Sequence, residues 1–191
     1  MRETGQKLNI KKAASYYLTM TVVGWADVFT RPVYKDAIIA SLNYCIEKKG
    51  LNVYAYVLMT NHLHLLVNSD EPILLKDTIR DFKRHTSKLL IQLIKNEPES
   101  RREWLLSLFG IAGVLDTKNK SFKFWQNGNH AIEIYSEKFV WDKINYIHNN
   151  PVKAKLVRKP EDWIYSSASN YMDEESVLKV HCLQPRLQTY S

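Results

Sequence analysis

Two runs of strand-forming residues, Val53 to Leu58 and His62 to Val67, are separated by the polar pair Thr60-Asn61. A connection this short permits a tight turn between antiparallel strands, so the middle of the chain is predicted to be a β-hairpin. The flanking segments narrow the fold further. Tyr16 to Val23 is rich in aromatic and β-branched residues and reads as a first strand. Ile38, Leu42, Cys45 and Ile46 recur at helical spacing, predicting a helix from about Tyr34 to Lys48 that Gly50 caps. After the hairpin, Ile79, Phe82, Leu89, Leu90 and Leu93 form the apolar stripe of a second helix from about Ile73 to Ile94. Trp104 to Phe109 is predicted to be a short helix ahead of Gly110 and Gly113, and Ala131 to Ile134 a strand. Ser136 is the expected N-cap of a last helix, which Pro151 ends at about Asn149.

Strand, helix, hairpin, helix, strand, helix is the order of an α+β, ferredoxin-like chain: an antiparallel sheet with helices packed on one face. Residues 1–172 are expected to form one domain, and residues 173–191 a C-terminal tail without a core pattern. Apolar residues at 45% and charged residues at 25% exclude a wholly disordered chain. With only Cys45 and Cys182, neither a disulfide framework nor a cysteine-rich zinc site is indicated. The stretch from Lys11 to Val23 lacks the small-residue cleavage pattern of a signal peptide and reads as a strand, and no segment has the ~20 apolar residues of a membrane helix. A cytoplasmic protein is expected. The 27 basic against 20 acidic residues favour a polyanionic partner without choosing one.

Chemistry enters with His62 and His64, two residues apart on a predicted strand and therefore on one face of the sheet. Two imidazoles form half of a metal site, or are ordinary histidines on a half-exposed strand. On the last helix Val140, Ile144 and Ile147 make the apolar stripe, while Tyr146 and Asn150, four apart, share another face. That pair places a hydroxyl and an amide together, or simply marks a core edge and a helix stop before Pro151.

These two clusters resemble the single-tyrosine HUH transposases (IS200-like), and most closely the REP-associated tyrosine transposases. The matching motifs are Val57-Leu-Met-Thr-Asn-His-Leu-His-Leu-Leu-Val67 and Tyr146-Ile-His-Asn-Asn-Pro-Val152, with Asp162-Trp-Ile-Tyr-Ser-Ser167 downstream. The resemblance spans roughly Tyr16 to Tyr171. It implies that His62, His64 and Asn150 bind a divalent metal, Mg²⁺ or Mn²⁺, and that Tyr146 is the nucleophile. In many relatives the third ligand is glutamine or glutamate, so asparagine departs from the pattern. The implied activity is nicking and joining of single-stranded DNA through a 5′-phosphotyrosine at hairpin-forming repeats, by a monomer or homodimer, associated with the nucleoid of a prokaryote.

Such DNA needs a charged track and stacking surfaces. Arg80, Lys83, Arg84 and Lys88, with Lys76, follow helical spacing opposite the second helix's apolar stripe. Lys143, Lys153, Lys155, Arg158 and Lys159 cluster beside Tyr146, and Trp125, Trp163 and Tyr165 are candidate stackers or core residues. His148 and Asn149 either orient DNA or pack. Two rivals remain: a catalytically inactive, domesticated DNA-binding protein of the same fold, and a metal-dependent hydrolase recruiting Asp70 or Asp142 as a further ligand.

Overall fold

The computed structural model describes residues 14–116 and 121–184. Residues 11–13 of the first basic-apolar stretch, and Lys118 to Lys120, lie outside the described residues. Strand β1 spans Tyr16–Thr21, helix α1 Pro32–Lys48, β2 Leu51–Leu58 and β3 His62–Ser69. Helices α2 (Leu75–Asn96) and α3 (Arg102–Val114) follow, then β4 (Ile132–Glu133) and α4 (Glu137–Lys153). The antiparallel sheet has the order β2-β3-β1-β4, the ferredoxin-like arrangement expected.

Strand alternation gives the sheet two distinct faces. Leu18, Met20, Val53, Leu63, Leu65 and Val67 point into the main core, where they meet Ile38 and Leu42 of α1, Ile79 and Phe82 of α2, and Leu105 and Phe109 of α3. Three helices thus cover one face, where the sequence led one to expect all of them. The fourth lies on the other: Ile144 and Ile147 of α4 pack against Tyr17, Ala55, Val57 and Leu66. A bulge between Val53 and Ala55 keeps both sets of β2 side chains pointing the right way.

Local chemistry explains the ends. Gly50 has φ +55, the left-handed conformation that terminates α1, and Ser136 Oγ accepts the Phe139 N–H to cap α4. Two predicted boundaries are corrected. Helix α4 continues through Pro151 to Lys153, because the buried proline forfeits only its own N–H while Ala154 N–H still donates to the Asn150 carbonyl at 3.0 Å. Helix α3 runs on through Gly110 and Gly113. Gly113 is a contact glycine rather than a stop, since a Cβ there would lie 2.5 Å from the Ser121 carbonyl oxygen.

The β4 edge is longer than its two ladder residues. Gln126 N–H donates to the Thr21 carbonyl at 2.8 Å and Thr19 N–H to the Asn129 carbonyl at 2.8 Å, so residues 124–133 run beside β1 with a break at Gly128 and His130, both at positive φ. Beyond Tyr171 the chain folds back: Leu178 is buried in the main core and His181 N–H donates to the Val53 carbonyl.

Candidate active site

On β3, His62 and His64 stand opposite Thr21 and Thr19 of β1, on the sheet face that α4 partly covers. Their rings are 4.6 Å apart, centre to centre. Tyr146 of α4 stands edge-on to His64 at 5.5 Å, and Asn150, one turn further on, comes beside His62. Because α4 does not break at Pro151, the two side chains keep the i,i+4 relation despite the proline. All four residues named from the sequence therefore meet at one place.

The hydrogen bonds determine how the imidazoles present themselves. Asn61 Nδ2 donates to the Trp25 carbonyl (3.2 Å) and to Asp27 (3.0 Å), so its Oδ1 is the acceptor facing His62 Nδ1 at 2.7 Å. His62 therefore carries its proton on Nδ1 and offers the Nε2 lone pair. His64 Nδ1 lies 2.8 Å from the Tyr17 hydroxyl and 2.9 Å from Thr19 Oγ1, while its Nε2 is buried with no hydrogen-bond partner among the described residues. Burial pushes His62 below the ordinary histidine range and, with His62 and Lys143 nearby, pushes His64 down to about 3. Both are thus neutral near pH 7, as metal coordination requires. Two neutral imidazoles braced at Nδ1, an unpaired buried Nε2 and an adjacent amide suit a divalent cation with mixed nitrogen and oxygen donors.

Positive charge surrounds the tyrosine. Lys153 Nζ lies 5.3 Å and Lys143 Nζ 5.8 Å from the centre of the Tyr146 ring, and Lys143 also stands 4.6 Å from that of Tyr17. Lys155 is exposed just past α4 at φ +59. Arg80, Lys83, Arg84 and Lys88 are not brought to this place. They ride on α2, which packs against the opposite sheet face. Arg80 pairs with Asp77 and Asp81, Arg84 pairs with Asp81, and Lys83 donates to Gln126 O, Gly128 O and Asn129 Oδ1. Lys83 thereby fastens the sheet-edge loop to α2.

The open alternatives resolve into packing. Trp125 is buried with Nε1 donating to Thr86 Oγ1, Tyr165 donates to Asp36, and Trp163 Nε1 donates to the Leu58 carbonyl. His148 is buried against Ser167 Oγ at 2.8 Å, and Asn149 Nδ2 donates to the Asn145 carbonyl. Ser167 Oγ also accepts the Tyr56 N–H at 2.9 Å, so the downstream Trp-Ile-Tyr-Ser-Ser segment clamps α4 to β2 and holds Tyr146 in register. Among the described residues, no three His, Cys, Asp or Glu side chains gather into a metal-binding group. Asp70 accepts from Asn52 beyond the far end of β3, and the hydrolase reading lacks its acidic ligand. Sequence reasoning also passed over Tyr17 and Thr19, whose alternation on a strand beside the histidines was the available signal, and Trp25.

A family model described as "Transposase IS200 like" matches residues 11–109, which include the histidine pair but end before α4. The solved structure of a REP-associated tyrosine transposase bound to a REP hairpin aligns over 100% of this chain and 98% of its own, with 15% identity and a TM-score of 0.62. A crystal structure described as that of "a putative transposase from Deinococcus radiodurans" aligns over 78% of this chain and 97% of its own, with 15% identity and a TM-score of 0.44. No curated protein matches the chain.

Proposed function

Because the chain belongs to the IS200-like transposase family, and so is a DNA transposase, we propose that it cuts and rejoins single-stranded DNA by transesterification through Tyr146. The observation that carries this reading is the placement of Tyr146 against His64, whose buried Nε2 has no hydrogen-bond partner among the described residues. His62, His64 and Asn150 would hold Mg²⁺ or Mn²⁺, although zinc or nickel would bind such donors more tightly. That ion would supply charge neutralisation at the scissile phosphate and at the departing 3′ oxygen.

The chain's own residues account for the rest. The Tyr146 oxygen forms a bond to phosphorus as the bond from phosphorus to the 3′ oxygen breaks, the electron pair leaving with that oxygen, which takes up a proton. One phosphodiester replaces another without water, so the 5′-phosphotyrosine stores the bond for rejoining. Lys143 and Lys153 place positive charge beside the ring, where the attacking phenolate and the phosphate carry negative charge. Tyr17 and Thr19 orient His64, and Asn61 orients His62. The hairpin bound by the aligned solved structure makes hairpin-forming repeats the DNA to try first.

The test incubates labelled single-stranded DNA from repeats flanking the gene with the protein and Mn²⁺ and looks for a covalent adduct on a denaturing gel. The expected band disappears with Tyr146→Phe and on chelation. Cleavage that survives Tyr146→Phe would overturn the assignment of the nucleophile, and binding without an adduct would turn the reading toward a DNA-binding protein that has lost catalysis.

A further inference from the structure

We propose that Trp25 is a base-stacking platform that seats a nucleotide next to the scissile phosphate on the side away from Tyr146. This inference rests on the reading that the histidine face binds single-stranded DNA. Trp25 is 61% exposed, yet its ring stands edge-on to that of His62 with centres 6.2 Å apart. A solitary exposed tryptophan needs no explanation. One fixed beside a candidate metal ligand does.

The backbone at Trp25 is held in an uncommon state. Its φ is +54, left-handed and unfavourable for a bulky residue, and Gly24 before it is at +66. Three contacts enforce this turn. Trp25 N–H donates to the Val22 carbonyl at 3.1 Å, the Trp25 carbonyl accepts from Asn61 Nδ2 at 3.2 Å, and Gly24 packs on Leu108 of α3. The same Asn61 side chain accepts from His62 Nδ1. One amide therefore ties the position of the tryptophan to that of the histidine, and strain of this kind persists where the surrounding structure over-determines it.

The rings follow one another across the face: Tyr146, then His64, His62 and Trp25, with successive centres 5.5, 4.6 and 6.2 Å apart. In-line displacement sets the attacking and leaving oxygens on opposite sides of phosphorus. With the phosphate over the histidines and Tyr146 at one end, the nucleotide carrying the leaving 3′ oxygen faces Trp25. An indole offers that base a π surface regardless of its identity. The three aromatic residues considered from sequence are occupied in packing, so Trp25 fills the role they cannot.

The test measures binding of a short oligothymidylate, and of an abasic oligonucleotide of equal length, to Tyr146→Phe protein without metal, with and without Trp25→Ala or Trp25→Phe. Stacking is worth ~1–3 kcal/mol per base, so Trp25→Ala should weaken oligothymidylate binding roughly 5- to 150-fold. Trp25→Phe should retain most of the affinity, and the abasic strand should bind wild type and Trp25→Ala alike. Equal oligothymidylate affinity for wild type and Trp25→Ala would overturn the proposal, as would an equal loss on both probes. A change in oligomeric state with unchanged DNA binding would overturn it too, assigning the ring to a protein interface. An adduct that forms while oligothymidylate binding ignores Trp25 would sink this inference alone. Trp25-dependent stacking without any adduct would sink the transesterase reading alone.

Discussion

Acidification from about pH 7 to about pH 5 should destabilise the metal-free protein, and His148 should account for a separable share of the loss. The ring is buried between Ser167 and Tyr171, with Nε2 2.8 Å from Ser167 Oγ and its centre 5.1 Å from that of the Tyr171 ring. Burial pushes its pKa from the ordinary 6.5 down to about 4. Because the folded pKa is depressed, the unfolded chain takes up a proton that the folded one refuses. The stabilising contribution is therefore complete above 6.5 and is lost as the pH falls toward 4. Integrating proton uptake between those values gives a loss on the order of 2 kcal/mol by about pH 5.

His64, pushed down to about 3 chiefly by burial, titrates in the same sense in the metal-free protein, so wild type alone cannot separate the two. The separation comes from His148→Gln, which removes the titration while keeping a polar group near Ser167. Thermal or urea melts of both proteins at the two pH values give a double difference. His148→Gln should lose about 2 kcal/mol less than wild type on acidification, or roughly 4–8 °C less in Tm for a chain of this size. Parallel losses in the two proteins would refute the reasoning and place the acid sensitivity elsewhere.

Two further outcomes follow from the geometry. Combining Tyr17→Phe with Thr19→Val strips both hydroxyls from His64 Nδ1, and should weaken Mn²⁺ binding by roughly 10- to 100-fold in a calorimetric titration with the fold intact; unchanged affinity would mean that the His64 ring needs no bracing. Gly113→Ala drives a Cβ toward the Ser121 backbone, and should cost about 1–3 kcal/mol in a denaturant midpoint, whereas a neutral result would mean that residues 121–124 do not rest on α3.

The hairpin and the histidine pair were legible because strand alternation has a period of two, which places residues 62 and 64 on one face wherever the strand packs. Tyr146 and Asn150 were legible for the parallel reason on a helix. Periodicity says which residues share a face of a helix but not which side of the sheet receives it. That is why the cations of α2 could be read as a DNA-binding face as readily as a solvated one, and why α4's place opposite the other helices was not foreseen. Pro151 looked like a stop because an isolated proline usually is one. Tertiary packing of Ile144, Ile147 and Pro151 carried the helix past the proline to Lys153, about four residues beyond the expected end. Trp25 left no periodic signal, since its position depends on a left-handed turn and on Asn61, which is distant in sequence.

Topology also accounts for where the chemistry sits. A strand-helix-hairpin-helix-strand chain buries one face of its sheet under the two connecting helices and leaves the other to whatever follows. Here α4 follows, and its apolar stripe covers Ala55, Val57 and Leu66 near β2 and the middle of β3. Thr19, Thr21, His62 and His64 lie beyond that stripe. An apolar cover would leave the polar groups of this face without partners, and α4 turns Tyr146 and Asn150 toward it instead. The same helix thus closes the second core and supplies the reactive side of the site, and the Ser167 clamp on His148 joins the two tasks. Loosening that clamp should move the nucleophile before it unfolds the sheet.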